Sequence, residues 1–549
     1  MIKAQTPPVF GNPLDIPIQL AANFGEVRPD HLHTGWDIRT HEKTGYPVHA
    51  AADGYLSRIK VSASGFGLVL YVTHPNGYMT VYAHLDHFNT AIGNFVKQQQ
   101  YLKQSFEVEL FPSIEKFVVK KGDVIAYSGN SGASGGPHLH FEIRDASGET
   151  YPLNPALLGL VIADTVKPVV SRLYLYPLSN NVNDTSYYYK VQKDSCDYSI
   201  KPDSIVSDYA AVGFGIVGAD YKNGSSNDYG IYYIEEALDG KDIFSIKFDR
   251  LDFSNARYVN AHIDYAKLKQ ENITIHRLYR LPGDHNSIYR HLVNDGHIVL
   301  KDTFFHQVVI TCKDEMDNTS YLIFYLRFSG KTFPADSSIA TNTTFFTFNK
   351  PHVFSADSIR LQFPSDILYT NLNFQYSCSF SSSKDIYSAI FNIGNASIPL
   401  HSYYQVFILA RAIPDSLKSK ALIVYQNSGR ESALVSHWTS EELNARAREF
   451  GYFYVKLDTI PPRIATAGIK QNQHIKKLFL RFYISDKLSG IATYNGYLDG
   501  KWILMEYDQK NNRLNCNLPT NLTYGEHRLN LIVTDQVNNK NSFTLTFKK

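Results

Sequence analysis

Residues 122–143 read GDVIAYSGNSGASGGPHLHFEI, and this stretch decides the fold of the N-terminal part of the chain. Two apolar runs flank a loop of Gly, Ser, Ala and Asn, which is typical of two strands joined by a glycine-rich turn. Successive side chains of a strand alternate between its faces, so His138 and His140 should share one face while Leu139 points to the other. The pattern therefore predicts a strand that presents two imidazoles to one space.

Two earlier segments carry further groups that bind metals. They read His33-Thr-Gly-Trp-Asp37 and Tyr82-Ala-His84-Leu85. Gly costs a helix about 1 kcal/mol, and Thr and Trp are also weak helix formers. The first segment is therefore predicted as a strand entering a turn, with His33 and Asp37 on the same side. Zinc with two histidines and one carboxylate keeps an open position for catalysis, and His33, Asp37 and one histidine of the HxH pair supply that set.

The remaining side chains predict the chemistry of such a site. Taken alone, an HxH pair is more simply two surface histidines of an edge strand. If His140 binds the metal, however, His138 lies beside the activated water as a neutral general base. His84, in the strand-like run VYAHL, would steady the developing oxyanion, and Tyr82 on the same face would donate a phenolic hydrogen bond. These groups together indicate hydrolysis of an amide by water.

The three segments, in this order, resemble the signature of the lysostaphin/LytM-type metallopeptidases, grouped as peptidase family M23. The family's pattern is HxxxD, then a YxHL-like segment, then HxH within GPHLHFE. NFGEVR at residues 23–28 also resembles the upstream FGxR stretch of the family. The resemblance covers residues 20–157, about a quarter of the chain, and the combined signature is highly specific.

This resemblance implies a fold and a set of roles for the N-terminal part. It implies one zinc ion per chain, held by His33, Asp37 and His140. It implies that His84 and His138 form the catalytic pair around the water and the oxyanion. The fold that it implies is a small antiparallel β-sheet with an open groove. Since no ligand of the pattern is missing, the sequence favours an active enzyme over a degenerate relative.

Two details stand outside the family's pattern. The stretch at residues 89–120 is longer than the usual link between the second and third segments. It contains a helix-like piece, Asn94–Phe106, which would wall or gate the groove or simply pack on the surface. His31 is a weaker candidate ligand than His33, because it lacks the family spacing to Asp37.

Beyond residue 160 the chain changes to repeated period-two patterns, such as FSIKFD at residues 244–249. Short alternating runs bounded by turn residues are typical of β-sandwiches in series. An internal repeat supports this interpretation, because Asp164-Thr-Val-Lys-Pro recurs as Asp458-Thr-Ile-Pro-Pro ahead of another strand-like run. The predicted fold class is mainly β, a small antiparallel β-sheet metallopeptidase domain followed by several Ig-like β-sandwich domains.

These patterns predict four domains. They are a peptidase domain at 1–160, an Ig-like β-sandwich with insertions at 161–335, a second type of β-sandwich at 336–457, and a C-terminal Ig-like β-sandwich at 458–549. One helix is predicted in the latter parts, at Ser440–Phe450 (SEELNARAREF), with Thr439 or Ser440 as its cap. Asp314 and Asp535 stand at strand-to-turn exits, where Asx turns are a simpler interpretation than calcium sites.

Composition bounds the partners of the chain. The 54 basic and 52 acidic residues give a net charge of +2, so the sequence offers no footprint for nucleic acid. No apolar run approaches the roughly 18–20 residues that cross a bilayer. The four cysteines have no CxxC spacing and the sequence does not pair them; they are Cys196, Cys312, Cys378 and Cys516. The opening MIKAQ holds no signal-peptide core, although Lys-Ala-Gln suits the end of an export signal that begins upstream of the chosen start.

The sequence therefore predicts a periplasmic or secreted zinc endopeptidase that cuts the peptide bridges or stem peptides of peptidoglycan. The β-sandwiches would position the peptidase domain, bind the wall or envelope protein partners, or restrict access to the groove. Two alternatives stay open. One is a catalytically silent envelope protein that activates another wall hydrolase. The other is a zinc endopeptidase that acts on extracellular proteins.

Overall fold

The computed structural model describes residues 10–146, 151–178, 186–195, 197–331, 344–410 and 413–549. The opening MIKAQ and Cys196 lie outside these residues. Within them the chain is mainly β, as predicted, and none of the helices is both long and apolar enough to cross a membrane. The three cysteines that are described, Cys312, Cys378 and Cys516, are free.

The N-terminal β-unit (residues 20–153) is built on a nine-stranded antiparallel sheet, which confirms the predicted antiparallel core. Its strands β1 to β12 are, in order, Leu20–Ala22, Trp36–Arg39, Pro47–His49, Gly54–Val61, Leu68–Thr73, Tyr78–Leu85, His87–Phe88, Val108–Leu110, Val118–Val119, Val124–Tyr127, His138–Asp145 and Tyr151–Leu153. The sheet runs β1-β2-β11-β6-β5-β4-β8, with β12 paired to β11 and β9 to β4. Strands β3, β10 and β7 form a small second sheet.

Strand β11 lies in the middle of the large sheet, between β2 and β6. Leu139 and Phe141 point into the core and are fully buried, which stabilises the sheet by removing their apolar surface from water. The opposite face carries His140, whose register partners are Asp37 of β2 and Ala83 of β6. The core therefore anchors the strand that carries the predicted HxH pair.

Three further β-units follow along the chain. The second β-unit (residues 169–328) has strands β13 to β24, which are Val169–Pro177, Tyr187–Asp194, Asp197–Ile200, Ser204–Ser207, Ala211–Ala219, Tyr233–Leu238, Lys241–Lys247, His276–Arg277, Tyr289–Leu292, Ile298–Val299, His306–Lys313 and Thr319–Phe328. It also holds the short helices α2 (Val259–His262) and α3 (Tyr265–Glu271).

The third β-unit (residues 344–457) has strands β25 to β36, which are Thr344–Phe346, His352–Ala356, Ile359–Phe363, Leu372–Phe374, Tyr376–Ser379, Ile390–Ile393, Tyr404–Leu409, Ala421–Asn427, Arg430–Leu434, Ser436–Thr439, Glu442–Ala447 and Gly451–Leu457. The fourth β-unit (residues 463–548) has strands β37 to β45, which are Arg463–Thr466, Gln473–His474, Phe479–Ser485, Ile491–Leu498, Lys501–Ile503, Glu506–Asp508, Arg513–Asn517, Glu526–Asp535 and Lys540–Lys548.

The units differ in how their cores connect. The third β-unit has two five-stranded sheets, β26-β27-β31-β35-β34 and β29-β30-β36-β32-β33, around a hydrophobic core of its own. Buried apolar residues of the N-terminal, second and fourth β-units instead form one continuous cluster. The N-terminal β-unit is therefore packed against two others that lie far from it in sequence.

The helix predicted at Ser440–Phe450 is wrong. This segment contains strand β35, which pairs with β31 and β34. Its residues Leu443, Ala445 and Ala447 are buried while the residues between them are more exposed, so the burial has the period of a strand. Good helix formers such as Glu, Ala and Arg were outweighed by pairing and burial in the sheet. Ser440, proposed as a cap, has a left-handed φ of 56° in the turn before β35.

The inserted helix is present, although its bounds differ from the prediction. Helix α1 spans Thr90–Lys103, four residues ahead of the predicted Asn94–Phe106, because the Asn89 side chain caps its first turn. On the outer side of α1, the Tyr101 ring contacts Trp502 of the fourth β-unit edge-on, with 5.2 Å between ring centroids. The insertion therefore joins the N-terminal β-unit to the end of the chain.

The two Asp-Thr segments of the internal repeat make matching hydrogen bonds. Asn318 donates from Nδ2 to the Asp164 carbonyl and to the Asp314 carboxylate. Asn539 donates in the same way to the Asp458 carbonyl and the Asp535 carboxylate. Asp314 and Asp535 also accept from backbone N–H groups two and four residues on, as the predicted Asx turns require.

Candidate metal centre

Three predicted ligands converge on the open face of the large sheet. His33 Nε2 lies 3.1 Å from Asp37 Oδ1, and His140 Nδ1 lies 2.8 Å from the same oxygen. The two ring nitrogens are 3.2 Å apart. His140 and Asp37 meet because they are direct register partners on β11 and β2. The imidazoles are almost completely buried, with 6% of His33 and 3% of His140 exposed.

The ring nitrogens that do not face Asp37 make hydrogen bonds that fix the orientation and the tautomer of each ring. His33 Nδ1 lies 2.7 Å from the Asn23 carbonyl, and His140 Nε2 lies 2.9 Å from Glu142 Oε1. A carbonyl and a carboxylate only accept hydrogen bonds, so both of these nitrogens carry protons. In the neutral rings, His33 Nε2 and His140 Nδ1 therefore carry no proton, and their lone pairs face a carboxylate oxygen. Two lone pairs and an anionic oxygen in contact require a cation or an additional proton between them.

The charges around this cluster favour a cation. Burial raises the pKa of Asp37, but the imidazoles of His138, His140 and His33 around its carboxylate outweigh the burial and hold that pKa far below the usual range. Burial also raises the pKa of Glu142, yet Arg144 and His140 bring it down to about 2. Both carboxylates are therefore ionised at neutral pH.

The two ligand histidines respond to these charges in opposite ways. Burial lowers the pKa of His33, which keeps that ring neutral as a zinc ligand must be. Burial also lowers the pKa of His140, but hydrogen bonds to Asp37 and Glu142 raise it to about 9. A proton on His140 can thus satisfy the cluster, and a metal ion would take its place. Two imidazole nitrogens and one carboxylate oxygen are a donor set that suits zinc.

A second pair of histidines lies beside the ligands. His138 Nδ1 is 2.9 Å from the Gly136 carbonyl, and His84 Nδ1 is 2.9 Å from the Ser131 carbonyl. Each ring therefore carries a proton on Nδ1 and, in its neutral form, turns a lone pair on Nε2 away from the loop. Their ring centroids are 4.9 Å apart, and His138 Nε2 lies 3.4 Å from Asp37 Oδ1. Burial and the neighbouring histidines lower the pKa of His84 to about 3, so this ring is neutral.

The loop that orients this pair is supported from the other end of the chain. Lys510 of the fourth β-unit donates from Nζ to Asn130 Oδ1 at 2.8 Å and to the Ser134 carbonyl at 2.9 Å. Ser131, between these two residues, provides the carbonyl that holds His84. The glycine-rich turn is therefore held at two points by one ammonium group.

A β-bulge explains how His84 reaches the site. Leu85 pairs with Leu68, but Tyr82 pairs with Leu70, so strand β6 has one extra residue opposite β5. His84 lies at this bulge with a left-handed φ of 58°, which is uncommon for a residue other than Gly. The bulge turns His84 to the face that carries Ala83 and His140, while Tyr82 stays on the core face.

The predicted role of Tyr82 near the transition state is therefore wrong. Its side chain is fully buried, and its phenolic oxygen accepts from the Ala51 N–H at 2.8 Å and bonds to Thr80 Oγ1 at 2.9 Å. Strict alternation along an extended strand would have put Tyr82 and His84 on one face, and the bulge breaks that alternation.

This position of Tyr82 predicts the effect of Tyr82→Phe. Removing the hydroxyl leaves the buried Ala51 N–H without its partner, which should cost about 1–3 kcal/mol of stability. Thermal unfolding should show the loss, whereas zinc content and turnover per folded molecule should stay as in the wild type. If Tyr82→Phe instead kept normal stability and lost turnover, Tyr82 would have a role in the reaction.

Several residues near the site were not singled out from the sequence. Glu142 orients His140 and is itself held by Thr34 Oγ1 at 2.6 Å. Its signal was present, since the period-two rule puts it on the face of His140 two residues earlier. Arg28, in the FGxR-like stretch, lies 3.5 Å from Asp37 Oδ2. His31 is not near the donors, because its ring binds Asp30 at the surface.

Two other acidic clusters occur among the described residues. One comprises Asp164, Asp220 and Asp314, and Lys222 places its ammonium group 3.3 Å from Asp220. The other is the matching cluster of the fourth β-unit, formed by Asp458, Asp486 and Asp535. The carboxylates of Asp314, Asp458 and Asp535 accept backbone N–H groups, which is the geometry of structural turns.

Comparison with known proteins matches the N-terminal β-unit to the model of one family. Residues 31–107 and 113–155 match the model of peptidase family M23, and residues 343–458 match the Zu5-like domain. A DD-carboxypeptidase/endopeptidase, Mpg, of Neisseria meningitidis is 36% identical over 129 residues, 24% of this chain and 23% of the relative. The peptidoglycan DD-endopeptidase ShyC of Vibrio cholerae is 30% identical over 139 residues, 24% of this chain and 25% of the relative.

The match to these relatives is confined to one region. The chain spans about a quarter of the length of each of the two. Among solved structures, a zinc-containing peptidase from Vibrio cholerae is 26% identical, with a TM-score of 0.20, and the match covers 27% of this chain and 39% of the other.

Proposed function

We propose that this chain is a zinc-dependent endopeptidase that hydrolyses peptide cross-links of bacterial peptidoglycan, because residues 31–107 and 113–155 match the model of peptidase family M23. The observation that carries the proposal is the complete set of groups on one face of the sheet. His33, Asp37 and His140 supply three converging donors, and His84 and His138 turn two proton-accepting nitrogens toward the same space.

We assign the metal to three donor atoms. His33 Nε2, His140 Nδ1 and one Asp37 oxygen would hold a single zinc ion. Bound there, zinc would acidify a water molecule and polarise the scissile carbonyl group. Asn23 and Glu142 keep the two rings in the tautomers that this requires.

The two remaining histidines divide the proton transfers. His138 is the general base, since its Nδ1 proton is committed to the Gly136 carbonyl and its Nε2 accepts a proton from the attacking water. His84 also has its Nδ1 proton committed, so its neutral ring has no proton on Nε2 to donate. It would therefore steady the oxyanion only after Nε2 has taken up a proton from solvent.

The names of the relatives support the proposed substrate, and a wall substrate in turn supports the proposed location. Both relatives are named as endopeptidases, and one is named for its action on peptidoglycan. We accordingly assign stem or bridge peptides of the wall as substrate and the periplasm or cell exterior as the compartment. The β-sandwich parts would serve as contacts to the wall or to envelope proteins.

The proposal is tested by zinc content together with turnover on purified cross-linked peptidoglycan. We expect about one zinc per chain and release of cross-links, both of which should disappear on chelation and return with added zinc. A glycine-rich extracellular protein incubated in parallel is the matched control substrate. Zinc binding without wall cleavage would contradict the enzyme proposal and favour an activator, and cleavage of the control protein alone would contradict the substrate.

A further inference from the structure

One short segment of the N-terminal β-unit, residues 23–26, makes the hydrogen bonds that hold the ligand His33. The Asn23 carbonyl accepts from His33 Nδ1 at 2.7 Å. Two residues on, the Gly25 N–H donates to the His33 carbonyl at 2.9 Å, and the His33 N–H donates to the Glu26 carbonyl at 2.8 Å. The position and the rotation of the His33 ring therefore follow the position of residues 23–26.

The second β-unit contacts residues 23–26 on the side away from His33. The Asn23 side chain, which is fully buried, donates from Nδ2 to the Gly230 carbonyl at 2.8 Å and accepts from the Gly230 N–H at 2.9 Å. This pair of bonds fixes both the position and the direction of the side chain. Gly230 is suited to the contact because a Cβ there would lie only 3.1 Å from Glu26 Cα.

The second β-unit makes another contact with this segment at Gly25, two residues after Asn23. Gly25 has a left-handed φ of 81°, and a Cβ at this position would lie 2.7 Å from the Phe248 side chain of the second β-unit. Phe248 is itself buried, with 1% of its surface exposed. Residues 23–26 are thus enclosed between His33 on one side and Gly230 and Phe248 on the other.

From this enclosure we infer that the second β-unit is part of the metal site's support, with Asn23 as the positioning residue that couples the two. The inference rests on the proposed zinc site. Groups that orient a ligand from behind typically change metal affinity by 10- to 100-fold when they are removed. Because coupling between two equilibria is reciprocal, zinc on His33 should also strengthen the docking of the second β-unit.

The test compares two asparagines that both bridge the N-terminal and second β-units. Asn227 donates to the Ala21 carbonyl at 3.0 Å and accepts from Arg39, but it touches neither His33 nor the Asn23 carbonyl. Asn23→Leu keeps the carbonyl that faces His33 but loses both bonds to Gly230, so zinc binding should weaken by about 10-fold, the lower end of the range for a supporting group, in a chelator competition on the full chain. Asn227→Leu should change it by less than about threefold, well below the roughly 10-fold minimum for a group that orients a ligand.

Two further measurements separate positioning from general damage. The visible spectrum of the cobalt-substituted protein reports ligand geometry, so we expect it to change in Asn23→Leu and to match the wild type in Asn227→Leu. Gly230→Ala, which presses on Glu26 from the second β-unit, should lower zinc affinity in the same direction and serves if Asn23→Leu does not fold.

Three outcomes would overturn the inference, and one of them would also overturn the proposed function. Wild-type zinc affinity in both Asn23→Leu and Gly230→Ala would show that the second β-unit does not act on His33. An equal loss in Asn227→Leu would show that docking in general, rather than Asn23, supports the site. A wild-type chain that binds no zinc would overturn the proposed function and this inference with it.

Discussion

The His140→Ala variant should retain no zinc after dialysis and should show no hydrolysis of cross-linked peptidoglycan. The substitution removes one of three donors and leaves Asp37 without its nearest partner, the Nδ1 atom at 2.8 Å. A direct ligand should cost more zinc affinity than the roughly 100-fold upper range for a supporting group. Elemental analysis and a chelator competition measure the loss of metal, and release of cross-links measures the loss of activity.

His31→Ala is the matched control for this prediction. His31 is a nearby histidine that binds Asp30 at the surface, and its removal should leave zinc content and turnover unchanged. Full zinc retention in His140→Ala would contradict the assignment of the donor set. Loss of zinc in His31→Ala would show that His31, rather than His33, is the first ligand.

The His138→Ala variant should keep its zinc and lose about 10²- to 10⁴-fold in kcat, the usual contribution of a general base. Its ring is not one of the three converging donors, because its Nε2 lies 3.4 Å from Asp37 and its Nδ1 is bound to the Gly136 carbonyl. The metal content and the kcat are to be measured on the same preparation. Added imidazole should restore part of the activity by replacing the missing base.

His87→Ala is the control for the loss of an imidazole near the groove, since His87 is exposed and binds Asp86. It should retain both zinc and turnover. Release of the metal from His138→Ala would contradict the division of labour within the HxH pair. Normal turnover in His138→Ala would assign the base to His84, whose Nε2 is also unprotonated.

Much of the candidate site could be predicted because it depends on local rules. The face shared by His140 and Glu142 follows from the period of a strand, and the approach of Asp37 follows from pairing of two such strands. The bulge at His84 could not be predicted in this way, because a left-handed φ at histidine has no signal comparable to glycine. The error at Tyr82 follows directly from that single backbone angle.

Other features depend on contacts between distant parts of the chain. Asn23 and Gly230 are separated by 207 residues, and no local pattern pairs them. The error at Ser440–Phe450 has a related cause, because β35 is held by pairing with β31, more than 30 residues earlier. The mainly β class was predictable from alternation, whereas the enclosure of the N-terminal β-unit by later β-units required the tertiary structure.

The contact between Lys510 and the glycine-rich turn also has a consequence for biosynthesis. All the proposed ligands and catalytic histidines are translated by residue 140, but Lys510 follows Asn130 by 380 residues. A nascent chain that has just exposed its ligands therefore lacks the ammonium group that holds the turn carrying Ser131 and Ser134. The final support of the turn is added only after some 380 further residues have been made.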